Sequence, residues 1–200
     1  MRSTTSSSVA IGRRLRLCLA AAALSSSAAG VAAQEPAPSA EPPTVTVPTF
    51  SGKIQLDGVL DEPEWQQAAV IHLTQQSPKP GEATPFETEV RILADKENLY
   101  FGIICTDPDP SKIAVHTMQR DGDMSGDDTI AIVLDTFHDR RTGYLFQINA
   151  AAVRLDGLIS DPNAQSASLD WDGIWDAATQ RTATGWTAEI VLPAQTVRFK

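Results

Sequence analysis

Cysteine is almost missing from this chain: Cys18 and Cys105 are its only two. Cys18 lies in an N-terminal leader after Leu15-Arg16-Leu17, which is not the small-residue setting of a lipid-modified cysteine. Without the leader Cys105 stands alone, which excludes an internal disulfide and a cysteine-based zinc site. Its alternating apolar neighbours make it a small buried hydrophobe. Histidine is equally scarce, and His72, His116 and His138 have no ligand spacing between them, which argues against a catalytic zinc. A nucleophile-elbow sequence is absent. The acidic residues are too many for any two to be singled out as a glycosidase pair. The domain is therefore expected to be non-catalytic.

Long apolar runs are also lacking. The longest signal lies in residues 1–33, where Arg13, Arg14 and Arg16 precede the run Leu17 to Leu24 and the small-residue end Val31-Ala32-Ala33. That pattern is a secretory signal peptide, and its run is far short of the ~20 residues that span a bilayer. The expected location is past the inner membrane: periplasmic, outer-membrane-associated or extracellular. Basic charge is in short supply as well. Once a leader holding four Arg and no acidic residue is removed, 12 Lys and Arg face 25 Asp and Glu, a net charge of −13. Nucleic acid and anionic membrane surfaces are poor partners for such a surface.

Residues 34–49 are rich in Pro, Ala, Glu and Thr and read as an extended linker. Residues 50–200 have the size of one domain with a real core. Helical periodicity is nearly absent there, apart from a short turn within Glu62 to Ala69 that starts at Pro63. Period-two alternation takes its place. Val90, Ile92 and Ala94 share a face, Asp95-Lys96-Glu97-Asn98 turns, and Leu99, Phe101, Ile103 and Cys105 return. Further strands are expected at Thr129 to Leu134, Tyr144 to Asn149, Val153 to Ile159, Ile174 to Arg181 and Trp186 to Leu192. Many short strands with Gly, Pro, Asn and Asp between them predict an all-β, antiparallel β-sandwich of jelly-roll-like type. The stop at Val197-Arg198-Phe199-Lys200, directly after a strand, suggests a sandwich truncated at its C-terminus.

Four segments carry a family resemblance. They are Ile54 to Trp65 (with Asp57-Gly58 and Asp61-Glu62), Asn98 to Pro108, Asp127 to Asp135, and Gly185 to Pro193. In that order they resemble carbohydrate-binding module family 9, and they span nearly the whole segment 50–200. Physically, Asp57-Gly58 supplies a tight turn, Trp65 an apolar plug for one end of the sandwich, and Pro193 a strand terminator. The resemblance implies a β-sandwich that binds oligo- or polysaccharide without cleaving it, often beside a glycoside hydrolase in polysaccharide breakdown, and often with structural calcium. A closer resemblance is to modules that precede an outer-membrane β-barrel. It implies a possible C-terminal barrel partner in a longer chain, and a periplasmic interaction role with sugar binding lost.

Where the resemblance expects an aromatic ring and a carboxylate, this sequence has Ser125 and Ala131, and Gln147 falls near the place of a basic residue. The candidate sugar contacts are then Trp171, in the polar stretch Ser168 to Gly173, with Gln147 and Asn149, which alternate with Phe146 and Ile148. Asp121, Asp123, Asp127 and Asp128 put four carboxylates within eight residues around Gly122 and Gly126, and Asp107 adds another nearby turn. Such oxygen-rich, glycine-relieved loops suit calcium. A remote alternative is haem binding in electron transfer, with His116 or Met118 as axial ligand; no Cys-x-x-Cys-His attachment sequence is present.

Overall fold

Alternating apolar residues sort the chain into two antiparallel sheets. The computed structural model describes residues 44–160 and 167–197, which lie in one compact unit, Pro43–Lys200. The expected signal peptide and most of the linker fall outside the described residues. The strands are β1 (Ala69–His72), β2 (Thr88–Ala94), β3 (Asn98–Thr106), β4 (Thr129–Leu134), β5 (Gly143–Asn149), β6 (Arg154–Ile159), β7 (Asp176–Thr182) and β8 (Gly185–Pro193). One sheet has the order β1-β2-β3-β8-β7 and the other β4-β5-β6. Their facing sides meet in a core of Phe101, Ile103, Trp186, Ala188, Ile190 and Leu192 against Tyr144, Phe146 and Ile148. Trp175 sets its ring edge-on to Phe146, with centroids 5.3 Å apart. This is the expected β-sandwich.

The outer face of the five-stranded sheet is sealed by the N-terminal segment. Gly102 and Glu189 are paired across β3 and β8 and both point outward. A Cβ on Gly102 would lie 2.5 Å from Leu60 and 3.0 Å from the Trp65 ring, so glycine is what lets these side chains lie on the sheet. Trp65 is buried there, over the sheet's outer face and not at the end of the sandwich, where the sequence suggested a plug. Its indole N–H donates to Oε1 of Glu189 at 3.1 Å, while Asp57 N and Gly58 N donate to Oε2 at 2.9 Å each. Gly58 takes φ +87°, and a Cβ there would come within 2.6 Å of the Thr179 backbone. Burial pushes the Glu189 carboxyl up from its ordinary value, against the three donors that favour its charge.

Some elements differ from the sequence expectation. β1 follows Ala68 as an apolar run with no clear alternation, and it pairs only with β2 at the sheet's edge. The short turn expected from Pro63 does form, at Pro63–Gln67, and is 3-10 in type. Ile174 precedes β7 and stands 74% exposed. Pro48 to Phe50, placed in the linker or at its boundary, hydrogen-bond to both sides of Ala94, so the domain's contacts begin slightly earlier.

Candidate functional site

The outer face of the three-stranded sheet, unlike its counterpart, is open. In β5 the alternation that buries Tyr144, Phe146 and Ile148 turns Leu145 and Gln147 the other way. Cross-strand register sets Ala131, Gln147 and Leu155 side by side. Gly157 in β6 lets the chain at 167–169 cross closely: a Cβ there would sit 2.7 Å from Ser168 O and 3.1 Å from Leu169. Leu158 and Ser168 exchange backbone hydrogen bonds of 2.9 and 2.8 Å. The result is a groove of about 610 Å³, with Gln147 and Leu155 on its floor. Asp121, Asp123 and Ser125 line one side and Leu169 the other. The Gln147 carboxamide makes no hydrogen bond or ion pair with another described residue.

The loop that builds the acidic side is pinned from within. Asp127 accepts from His116 N at 2.6 Å, Thr117 N at 3.2 Å and Asn149 Nδ2 at 2.8 Å. The Asn149 hydrogen bond, with those of the two amides, pulls its carboxyl down to about 2. Asp128 accepts from Ala114 N at 2.6 Å. Asn149, expected beside Gln147 as a sugar contact, is fully buried instead. It donates to Thr117 O and Asp127, and its oxygen accepts from Ala151 N and Val153 N. Its polar atoms join the loop to the turn after β5 and are turned away from any ligand.

A second carboxylate works behind the groove. Asp156 in β6 is buried; its Oδ1 accepts from Trp175 Nε1 at 3.0 Å and from Arg120 at 2.6 Å, and its Oδ2 from Gly173 N at 2.6 Å. The same Arg120 nitrogen also reaches Asp172. Arg120 Nε lies 3.4 Å from Asp121, which adopts φ 57°.

Trp171 is not on this face. It is half-buried, with its ring 5.1 Å from that of Tyr144 and 5.8 Å from that of Phe146, on the core side of β5 and opposite Gln147. Met118 is 74% exposed and the His116 ring rests on Asp127; neither lines the groove.

The expected metal residues are divided. Asp121, Asp123 and Asp127 border the groove, whereas Asp107 and Asp128 border a smaller cleft of about 140 Å³ beside Cys105. Asp107 accepts from Asp109 N and Asp123 from Ser125 N, so these carboxylates serve their own turns. Among the described residues no three His, Cys, Asp or Glu side chains gather to hold a metal ion. As placed, this donor set does not fit a calcium cage.

A cleft of about 520 Å³ lies between the turn at 95–98 and the ends of β4 and β8. Its walls are mostly apolar, and Asp95 there already accepts from Glu97 N, Asn98 N and the Tyr100 hydroxyl. Sequence reasoning found Gln147 but missed Leu155, Leu169 and Arg120. Gly157, a glycine inside a strand, was the available sign that another backbone crosses there.

The sequence model of the family described as "carbohydrate family 9 binding domain-like" matches residues 56–200. A search of curated proteins finds no match. Among solved structures, the chain is similar to a family 9 carbohydrate-binding module from Caldicellulosiruptor kristjanssonii in complex with cellotriose. That match has 15% identity and a TM-score of 0.50, and it covers 74% of this chain and 66% of that one. A family 9 module from the same organism, in complex with glucose, matches at 16% identity and a TM-score of 0.50, covering 77% and 71%. This chain thus spans about two thirds of the length of the first module. At these identities the likeness is one of fold.

Proposed function

The chain belongs to the carbohydrate family 9 binding domain-like family, and from that premise we propose that it is a non-catalytic module that holds a saccharide in the groove over Gln147. The observation that carries the reading is the Gln147 carboxamide, which lies unpartnered among the described residues on the floor of an open groove. A primary amide offers both donor and acceptor, which matches the paired hydroxyls of a sugar. The solved modules of like fold were obtained with cellotriose and glucose, which makes glucose-based oligosaccharides the first ligands to test.

Among the described residues no aromatic ring lines the groove. Ser125 stands on its wall, and Ala131 stands beside Gln147. Without a stacking platform the binding energy comes from a few hydrogen bonds and from contact with Leu155 and Leu169. That supports a Kd of about 1 mM, near 4 kcal/mol, well short of the micromolar range.

Isothermal titration or NMR shift mapping with cellotriose tests the reading. The expected result is weak saturable binding that Gln147→Ala abolishes while the melting temperature holds, because the Gln147 side chain makes no hydrogen bond with another described residue. Binding that survives Gln147→Ala, or no binding by the wild type, would overturn it.

A further inference from the structure

The two sides of the groove come from separate parts of the chain, 121–125 and 167–169, and neither side is a strand of the sheet below. Each side is tacked to β6 at one place, by Asp121 N donating to Arg154 O and by the exchange between Leu158 and Ser168. One side chain, behind the groove, joins the segments that carry them. Arg120 immediately precedes the acidic side and lies 3.4 Å from Asp121, while its terminal nitrogen reaches Asp172, three residues beyond Leu169 on the opposite side. The same nitrogen is anchored below by Asp156, a carboxylate 1% exposed on β6 that also holds Gly173 N.

We propose that Arg120 is the positioning residue of the groove: its guanidinium straps the two sides together through Asp172 and Asp156 and fixes the width that a sugar ring must fit. This rests on the saccharide reading given above. Arginine is suited to the task because one guanidinium meets three carboxylates: a single terminal nitrogen takes Asp156 and Asp172 while Nε faces Asp121, a spread of donors that a lysine ammonium does not offer. The two arms of the strap differ in what they do for the fold. Asp156 is buried beside Trp175, so losing it strands a charge and disturbs packing. Asp172 is 81% exposed, so losing it removes only the tie between the two segments behind the groove.

That difference supplies the test. Cellotriose binding and melting temperature are measured for the wild type, Asp172→Asn, Arg120→Lys and the double variant. The expected result is that Asp172→Asn weakens binding by about threefold, the scale of a lost exposed ion pair. Its melting temperature stays at the wild-type value, as for an exposed pair. Arg120→Lys weakens binding at least as much. The double variant binds no worse than Arg120→Lys, since both changes cut one strap. Wild-type affinity in Asp172→Asn, or a fully additive double variant, overturns the strap and leaves the saccharide reading standing. A wild type that binds no cellotriose overturns both.

Discussion

The indole nitrogen of Trp65 lies 3.1 Å from Oε1 of Glu189, although 124 residues of chain separate them. The other carboxylate oxygen is bonded by Asp57 N and Gly58 N, so one buried side chain gathers the turn and the tryptophan of the N-terminal segment onto β8. Trp65→Phe keeps most of the apolar volume but leaves Oε1 without its donor. The expected cost is about 1–3 kcal/mol, set by one unsatisfied buried acceptor. Trp65→Ala adds the cavity and should cost about 3–5 kcal/mol. Urea denaturation of both variants checks the order, and equal losses would show that the indole N–H contributes nothing.

Asp127 predicts an acid-side loss of stability. Its folded-state pKa is lowered to about 2, so its contribution is fully present above the ordinary aspartate value near 3.9 and is lost as pH falls through about 2. Asp127→Asn should be less stable than the wild type at pH 7, with the difference closing between about pH 4 and pH 2. Denaturation midpoints across that range measure it. A gap that stays constant with pH would rule out ionisation of Asp127 as the source.

Trp171 should behave as a packing residue. Its ring rests on Tyr144 and Phe146, so Trp171→Ala is expected to cost about 2 kcal/mol, less than a fully buried tryptophan. Binding measured well below the variant's melting temperature should stay near wild type. Lost binding at unchanged stability would return Trp171 to the sugar site.

The acidic loop predicts indifference to chelators. Its carboxylates are turned toward backbone amides, Arg120 and Asn149, with no shared metal position among the described residues. Melting curves with and without a chelator should coincide. A fall on chelation that calcium reverses would place an ion in this loop, because a ligand that binds only the folded state raises the melting point.

Much of the sandwich was legible because alternation is a local signal. Phe146 and Ile148 point one way, and so Gln147 must point the other. The same logic put Asn149 beside Gln147 and failed, because Asn149 ends its strand and its amide is captured by a turn and by Asp127. Glu189 alternates with the core residues Ala188 and Ile190, so alternation alone turns it away from the core. Only the return of residues 57–65, more than 120 positions earlier in the chain, explains why a carboxylate is buried there. Trp171 sits among Asp and Ser in sequence, and nothing local announces the two rings that hold it.

The partnership of Trp65 and Glu189 also fixes an order of events. A ribosome releases Trp65 long before Glu189 exists, so the turn at Asp57-Gly58 and the Trp65 indole N–H lack their carboxylate partner until β8 has paired with β3. Contacts of such long sequence separation form late and slow the search for the native state. Until then Leu60 and Trp65 have only β3 beneath them, and a nascent or refolding chain presents their uncovered faces to other molecules.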